Sequence, residues 1–154
     1  MKLFNKPFGE YLQSAKVGIG LLLAVSVIRF TLKPMFGIPY EQGTHFASVS
    51  ILMPILMLFY AVQVARSGGT YRDVLGMAAA LALPTLLFID LGIAIDDFGG
   101  IDTYYTDLAH GGNLNAGLHM LGHVFGTGII STLVLWGIGS LIYVFAGGRK
   151  KVMA

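Results

Sequence analysis

"IISTLVLWGIGSLIYVFAGG", residues 129–148, runs for twenty residues without a charge. A helix needs about 20 mainly apolar residues to cross the hydrocarbon of a bilayer, so this stretch names lipid as the solvent of the fold. Three more stretches share its character: Val17 to Leu32, shorter and interrupted by Arg29; Phe46 to Ala65; and Val74 to Ile95. The opening run itself extends back to Gly117, giving a last span of residues 117–146. The pattern predicts an all-α, polytopic membrane protein, residues 1–154 forming one four-span transmembrane domain folded as a four-helix bundle. Pro54 and Pro84 fall inside the second and third spans. Proline removes a helix hydrogen bond, so each marks an expected kink.

Composition agrees. Of 154 residues, 55% are hydrophobic and 12% charged, with a mean hydropathy of +0.74, whereas a soluble domain is about a quarter charged. There is no cysteine, which removes disulfides, iron–sulfur clusters, thiolate zinc and cysteine nucleophiles from the chemistry available. A net charge of +2 gives no footprint for nucleic acid. No internal repeat, low-complexity tract or long linker divides the chain.

Lysine and arginine set orientation in a membrane. With the N-terminus inside, Lys2, Lys6, Lys16, Arg66, Arg72, Arg149, Lys150 and Lys151 lie at cytoplasmic ends, and of the ten basic residues only Arg29 and Lys33 fall toward the other side. Both termini are therefore expected in the cytoplasm, with a bacterial inner membrane as the setting. Ahead of the first span, "MKLFNKPFGEYLQSAK" sets Phe4, Phe8, Tyr11 and Leu12 on one helical face. Such a pattern suits an N-terminal interfacial amphipathic segment. The first span lacks a small-x-small cleavage site and is read as retained.

Once orientation is set, the unusual polar residues collect outside. His45, His110, His119 and His123 all map there, as do Glu41, Asp90, Asp96, Asp97, Asp102 and Asp107, six of the eight acids. Residues 96–117 contain no lysine or arginine. Tolerance of acids on the outer side explains Asp102 and Asp107. Asp90, however, lies inside the third span, roughly 24 Å along from Val74, and Arg29 lies roughly 18 Å along from Val17. The two share the outer half of the bilayer. Intramembrane charges normally pair or face a polar interior, so a structural Arg29–Asp90 ion pair is expected, with a polar cavity shared with the histidines as the alternative for Asp90.

The last span is too long for the hydrocarbon, roughly 45 Å of helix against about 30 Å. This puts His119 and His123 at or above the outer interface, at the level of His45. His119, Gly122, His123 and Gly126 fall on one helical stripe. On the bland reading, Gly122-x-x-x-Gly126 is a small-residue packing face and the histidines are wet interfacial amphipaths. On the functional reading, the second and fourth helices oppose each other diagonally, and His45 faces His119 or His123 across the bundle. Bundle cofactor sites are built that way. Imidazoles ligate haem iron, and glycine beside them leaves room for the macrocycle of a haem b. The arrangement resembles the diagonal bis-histidine design of membrane b-type cytochromes, in architecture only. The competing chemistry is a bare transition-metal ion on His45, His119 and His123, completed by Asp96 or Asp97, a nitrogen and oxygen set suited to zinc, copper or iron.

Other chemistry is absent. His119-Met-Leu-Gly-His123 lacks the glutamate of a HExxH hydrolase. Met53, Met57 and Met77 read as core filling. The sequence has no duplicated pair of broken helices of the transporter kind. The expected function is a small membrane subunit, not a stand-alone enzyme, holding haem or a metal ion at its outer face for electron transfer. It would sit in the lipid bilayer with other membrane subunits, its acidic loop meeting a soluble partner. The alternative is an accessory subunit with no cofactor of its own.

Overall fold

The computed structural model describes residues 3–110 and 114–148. Lys2, Arg149, Lys150 and Lys151, counted above for orientation, lie outside the described residues. Among those described, all regular structure is helical, and four stretches are long and apolar enough to cross a membrane: Phe8–Phe36, Tyr40–Arg66, Tyr71–Gly99 and Ala116–Phe145.

The first stretch is α1 (Phe8–Phe36). It is one continuous helix, so the separate interfacial segment expected before Val17 does not form. The physical reason lies in its partners. Tyr11 is buried with its hydroxyl donating to Asp73 at 2.7 Å, and Phe4, Phe8 and Leu12 pack on the core instead of lying on the lipid surface. Gly37, in the left-handed region at φ 64°, ends the helix. After Pro39 comes the short α2 (Tyr40–Phe46), and after a break at Ala47 and Ser48 comes α3 (Val49–Arg66).

The centre of the bundle is α4 (Tyr71–Gly99), the most buried of the four stretches. Thr70 and Asp73 form a capping box at its start, satisfying backbone N–H groups that would otherwise lack partners. Its middle is the small-residue run Ala78–Ala79–Ala80, then Leu81 and Ala82, all buried. Without a hydrophobic drive between helices in lipid, small side chains let backbones approach closely. Accordingly α4 touches α1, α3 and the last stretch. The core between them holds Leu22, Met57, Val74, Leu81, Leu135 and Tyr143.

The last stretch is three segments in series: α5 (Ala116–His123), a π-helical segment (Val124–Ile130) and α6 (Ser131–Phe145). Two glycines and four β-branched residues in 124–130 weaken the ordinary α turn there. The Ser131 hydroxyl donates back to the Gly126 carbonyl at 3.0 Å and Thr132 to that of Gly128. Those bonds occupy carbonyls that the wider turn exposes.

Two ends of the bundle are distinct. At one, Asn5 reaches Thr70 and Asp73, and the Tyr143 hydroxyl lies within bonding distance of the Gly69 and Gly148 carbonyls. At the other, Lys33 meets Asp102 and Asp107, and the histidines gather.

Candidate metal centre

The site begins with the connection after α4. Gly100 turns the chain at φ 59°, and Asp102 follows at φ 57°, a left-handed conformation that aspartate tolerates better than most residues. The buried Asp96 carboxylate then gathers the segment. It accepts from the Thr103 N–H at 3.0 Å, the Thr103 hydroxyl at 2.6 Å and the Thr106 hydroxyl at 2.6 Å. Charge-assisted bonds of this kind are roughly twice as strong as neutral ones. Lys33 ties the same segment to α1 through Asp102 at 2.6 Å and Asp107 at 3.2 Å.

Tyr104 and Tyr105 are thereby driven inward and fully buried. Tyr105 lies so close to α4 that a Cβ on Gly92 would sit 2.8 Å from its ring; only glycine fits there. A short 3-10 turn, Leu108–His110, places His110 next to α5. Asn115 caps α5 by accepting from the Leu118 N–H at 2.9 Å, and residues four apart share a helical face, which stacks His119 above His123.

The three imidazoles converge. Ring centroids lie 5.3 Å apart for His110 and His119, 5.2 Å for His110 and His123, and 5.1 Å for His119 and His123. One ring nitrogen from each lies within 4.8 Å of the others. Two of these groups have no protein partner for a buried nitrogen: His110 Nδ1 and His119 Nε2. His119 is 6% exposed, so neither water nor protein satisfies that atom cheaply.

The His123 ring is also held from behind. His123 Nδ1 lies 3.2 Å from the Thr127 hydroxyl, in the first turn of the π segment. Metal-binding histidines are ordinarily oriented by such a second bond, which also selects the tautomer whose lone pair faces the ion. Burial, with the Arg29 charge and the two neighbouring histidines, pushes His110 down to about 4. It is neutral at pH 7, the form that ligates.

A cavity of about 240 Å³ adjoins the cluster, lined at its polar end by Arg29, Tyr105, His110, His123 and Thr127 and elsewhere mainly by apolar residues, with Ser50 and Ser131 among them. Arg29 is 8% exposed. Its guanidinium donates to the Ala47 carbonyl at 3.2 Å and lies 5.9 Å from the Tyr40 ring and 6.0 Å from that of Tyr105.

Of the residues singled out in the sequence, the structure brings His119 and His123 together and leaves His45 apart. The break at Ala47–Ser48 detaches α2 from α3, and His45 is exposed there, beside Val25, Phe46 and Ile55. Asp96 is consumed by the threonines, and Asp97 is exposed at the end of α4. Gly122 and Gly126 face open space, with nothing within 4 Å of an added Cβ. Arg29 and Asp90 form no ion pair among the described residues; Asp90 Oδ1 is buried without a partner. Equal depth did not imply equal direction around the helix axes. His110 is the ligand candidate that sequence reasoning passed over. Its signal was present, since all four histidines fell on one topological side, but a loop residue carries no periodicity to aim it.

Comparison with family models, curated proteins and solved structures yields no match to this chain.

Proposed function

We propose that this chain is a small membrane protein holding one transition-metal ion between His110, His119 and His123. The observation that carries the reading is the convergence of three imidazole nitrogens within 4.8 Å, two of the rings having a buried nitrogen without a partner. An ion bonded at about 2 Å to each nitrogen needs them about 3–4 Å apart, so modest tightening completes the shell. Nitrogen donors without thiolate favour zinc, copper or iron.

A single ion suits the site better than haem. Bis-histidine haem ligation needs two imidazoles on opposite faces of one macrocycle, whereas here three rings crowd one point. The adjoining cavity of about 240 Å³ is also below the roughly 300–1,000 Å³ of pockets for drug-sized ligands. With both termini cytoplasmic, as the basic residues favour, the ion lies at the outer face of the membrane. Copper or iron there would serve electron transfer within a membrane complex.

The accessory-subunit reading has its own support. The last stretch is the least buried of the four, and its Gly122 and Gly126 stand open, a face that a helix of another subunit would fill.

The test is metal analysis of the full chain purified in detergent, with a visible spectrum. The metal reading expects one ion per chain, lost when His119 is replaced by alanine. A Soret band would return the site to haem. Absence of both metal and haem after incubation with zinc, copper and iron would leave the accessory subunit.

A further inference from the structure

Three neutral imidazoles contribute no negative charge, so a divalent ion among them keeps its full 2+. Among the described residues, no carboxylate joins the cluster. Asp96 is committed to Thr103 and Thr106, while Asp102 and Asp107 hold Lys33. Arg29, buried and lining the same cavity as His110 and His123, adds a second positive charge with no ion-pair partner among the described residues. Two uncompensated positive centres beside one low-dielectric cavity are unfavourable without an anion. Three protein ligands also leave a tetrahedral ion one position for an outside ligand. Thr127 and Ser131 line the same space.

We infer that the cavity between α3 and α6 is a binding site for a small anion with an oxygen or nitrogen donor, which takes the metal's fourth position on the side lined by Arg29. The inference rests on the three-histidine metal reading. Guanidinium suits this role because its planar fork matches a carboxylate or similar anion and stays charged when buried. The rings of Tyr40 and Tyr105 lie 5.9 Å and 6.0 Å from it, at the outer limit of cation–π contact.

The experiment loads the full chain in detergent with cobalt(II), counts the metal bound, and follows the visible cobalt spectrum during titration with sodium azide and then sodium acetate. A saturable spectral change is expected. Arg29→Gln should keep its cobalt and bind azide about 30-fold more weakly, the lower range for truncating one partner of a buried charge pair. If Arg29→Gln does not fold, Arg29→Lys decides, because a point charge without the fork should still weaken azide about tenfold. Failure of the unaltered chain to bind cobalt or any other metal sinks the metal reading, and this inference with it. Cobalt bound with no response to either anion, or equal azide affinity in the Arg29 variants, overturns the inference alone. A response to phosphatidylglycerol micelles but to neither free anion overturns it too, reassigning the charge to lipid.

Discussion

His119 exposes 6% of its surface and keeps Nε2 in buried space without a partner. An unsatisfied buried polar atom costs about 1–3 kcal/mol, a cost that a bound ion would turn into a gain. Alanine at His110, His119 or His123 should each lower metal affinity by at least about a hundredfold, beyond the 10–100-fold typical of a lost outer-shell partner. Thr127→Val should fall inside that range. His45→Ala should change nothing, and a large effect there would mean that the ligand set is wrong. Isothermal titration with zinc checks all five variants. The sequence carried half of this site. His119 and His123 were legible because four-residue spacing on a helix gives direction as well as distance. His110 and Arg29 were not, since both depend on how the connection after α4 folds against α1. Asp96 was read as a ligand because its type and location fit; only the hydroxyls of Thr103 and Thr106, gathered by a reversing chain, show why it is unavailable.

Among the elements, the connection after α4 depends most on a single residue. Three hydrogen bonds to the Asp96 carboxylate are charge-assisted, each contributing about 1.5–3 kcal/mol net. Asp96→Ala should therefore lose about 4–5 kcal/mol of stability, the low end for three such bonds, and also weaken metal binding, because His110 rides on that segment. Thermal unfolding in detergent with and without zinc checks it: the stabilisation by zinc should shrink along with the melting temperature. The glycines of the last stretch make the opposite case. Gly122→Ala and Gly126→Ala meet open space, so in the isolated chain they should be neutral or stabilising by up to about 1 kcal/mol. If the same changes abolish co-purification of a second membrane protein from the native host, that face is an interface. The four spans themselves were legible, as composition and length suffice for them. Their subdivision was not. The π segment at 124–130 and the break at Ala47–Ser48 arise from local backbone choices that a twenty-residue hydropathy window averages away.

For the whole molecule, orientation is the property that decides which compartment the histidine cluster faces. The chain lacks cysteine, so single introduced thiols report cleanly. Leu108→Cys, at a side chain 78% exposed beside the histidines, should react with an impermeant maleimide in intact cells, and Ser67→Cys should not. The reverse pattern would invert the protein. Lengths of 29 and 30 residues for Tyr71–Gly99 and Ala116–Phe145 carry a further consequence. At 1.5 Å per residue they exceed the hydrocarbon by roughly 15 Å, which on the proposed orientation would set the imidazole cluster at headgroup level. Where the adjoining leaflet is anionic, a surface potential of about −30 mV would enrich divalent cations about tenfold over the bulk. On the metal reading, such a bilayer would work as a cation reservoir feeding the protein sideways. At fixed bulk zinc, occupancy in vesicles should rise with the phosphatidylglycerol fraction and fall as monovalent salt shortens the Debye length, with no change in the chain at all.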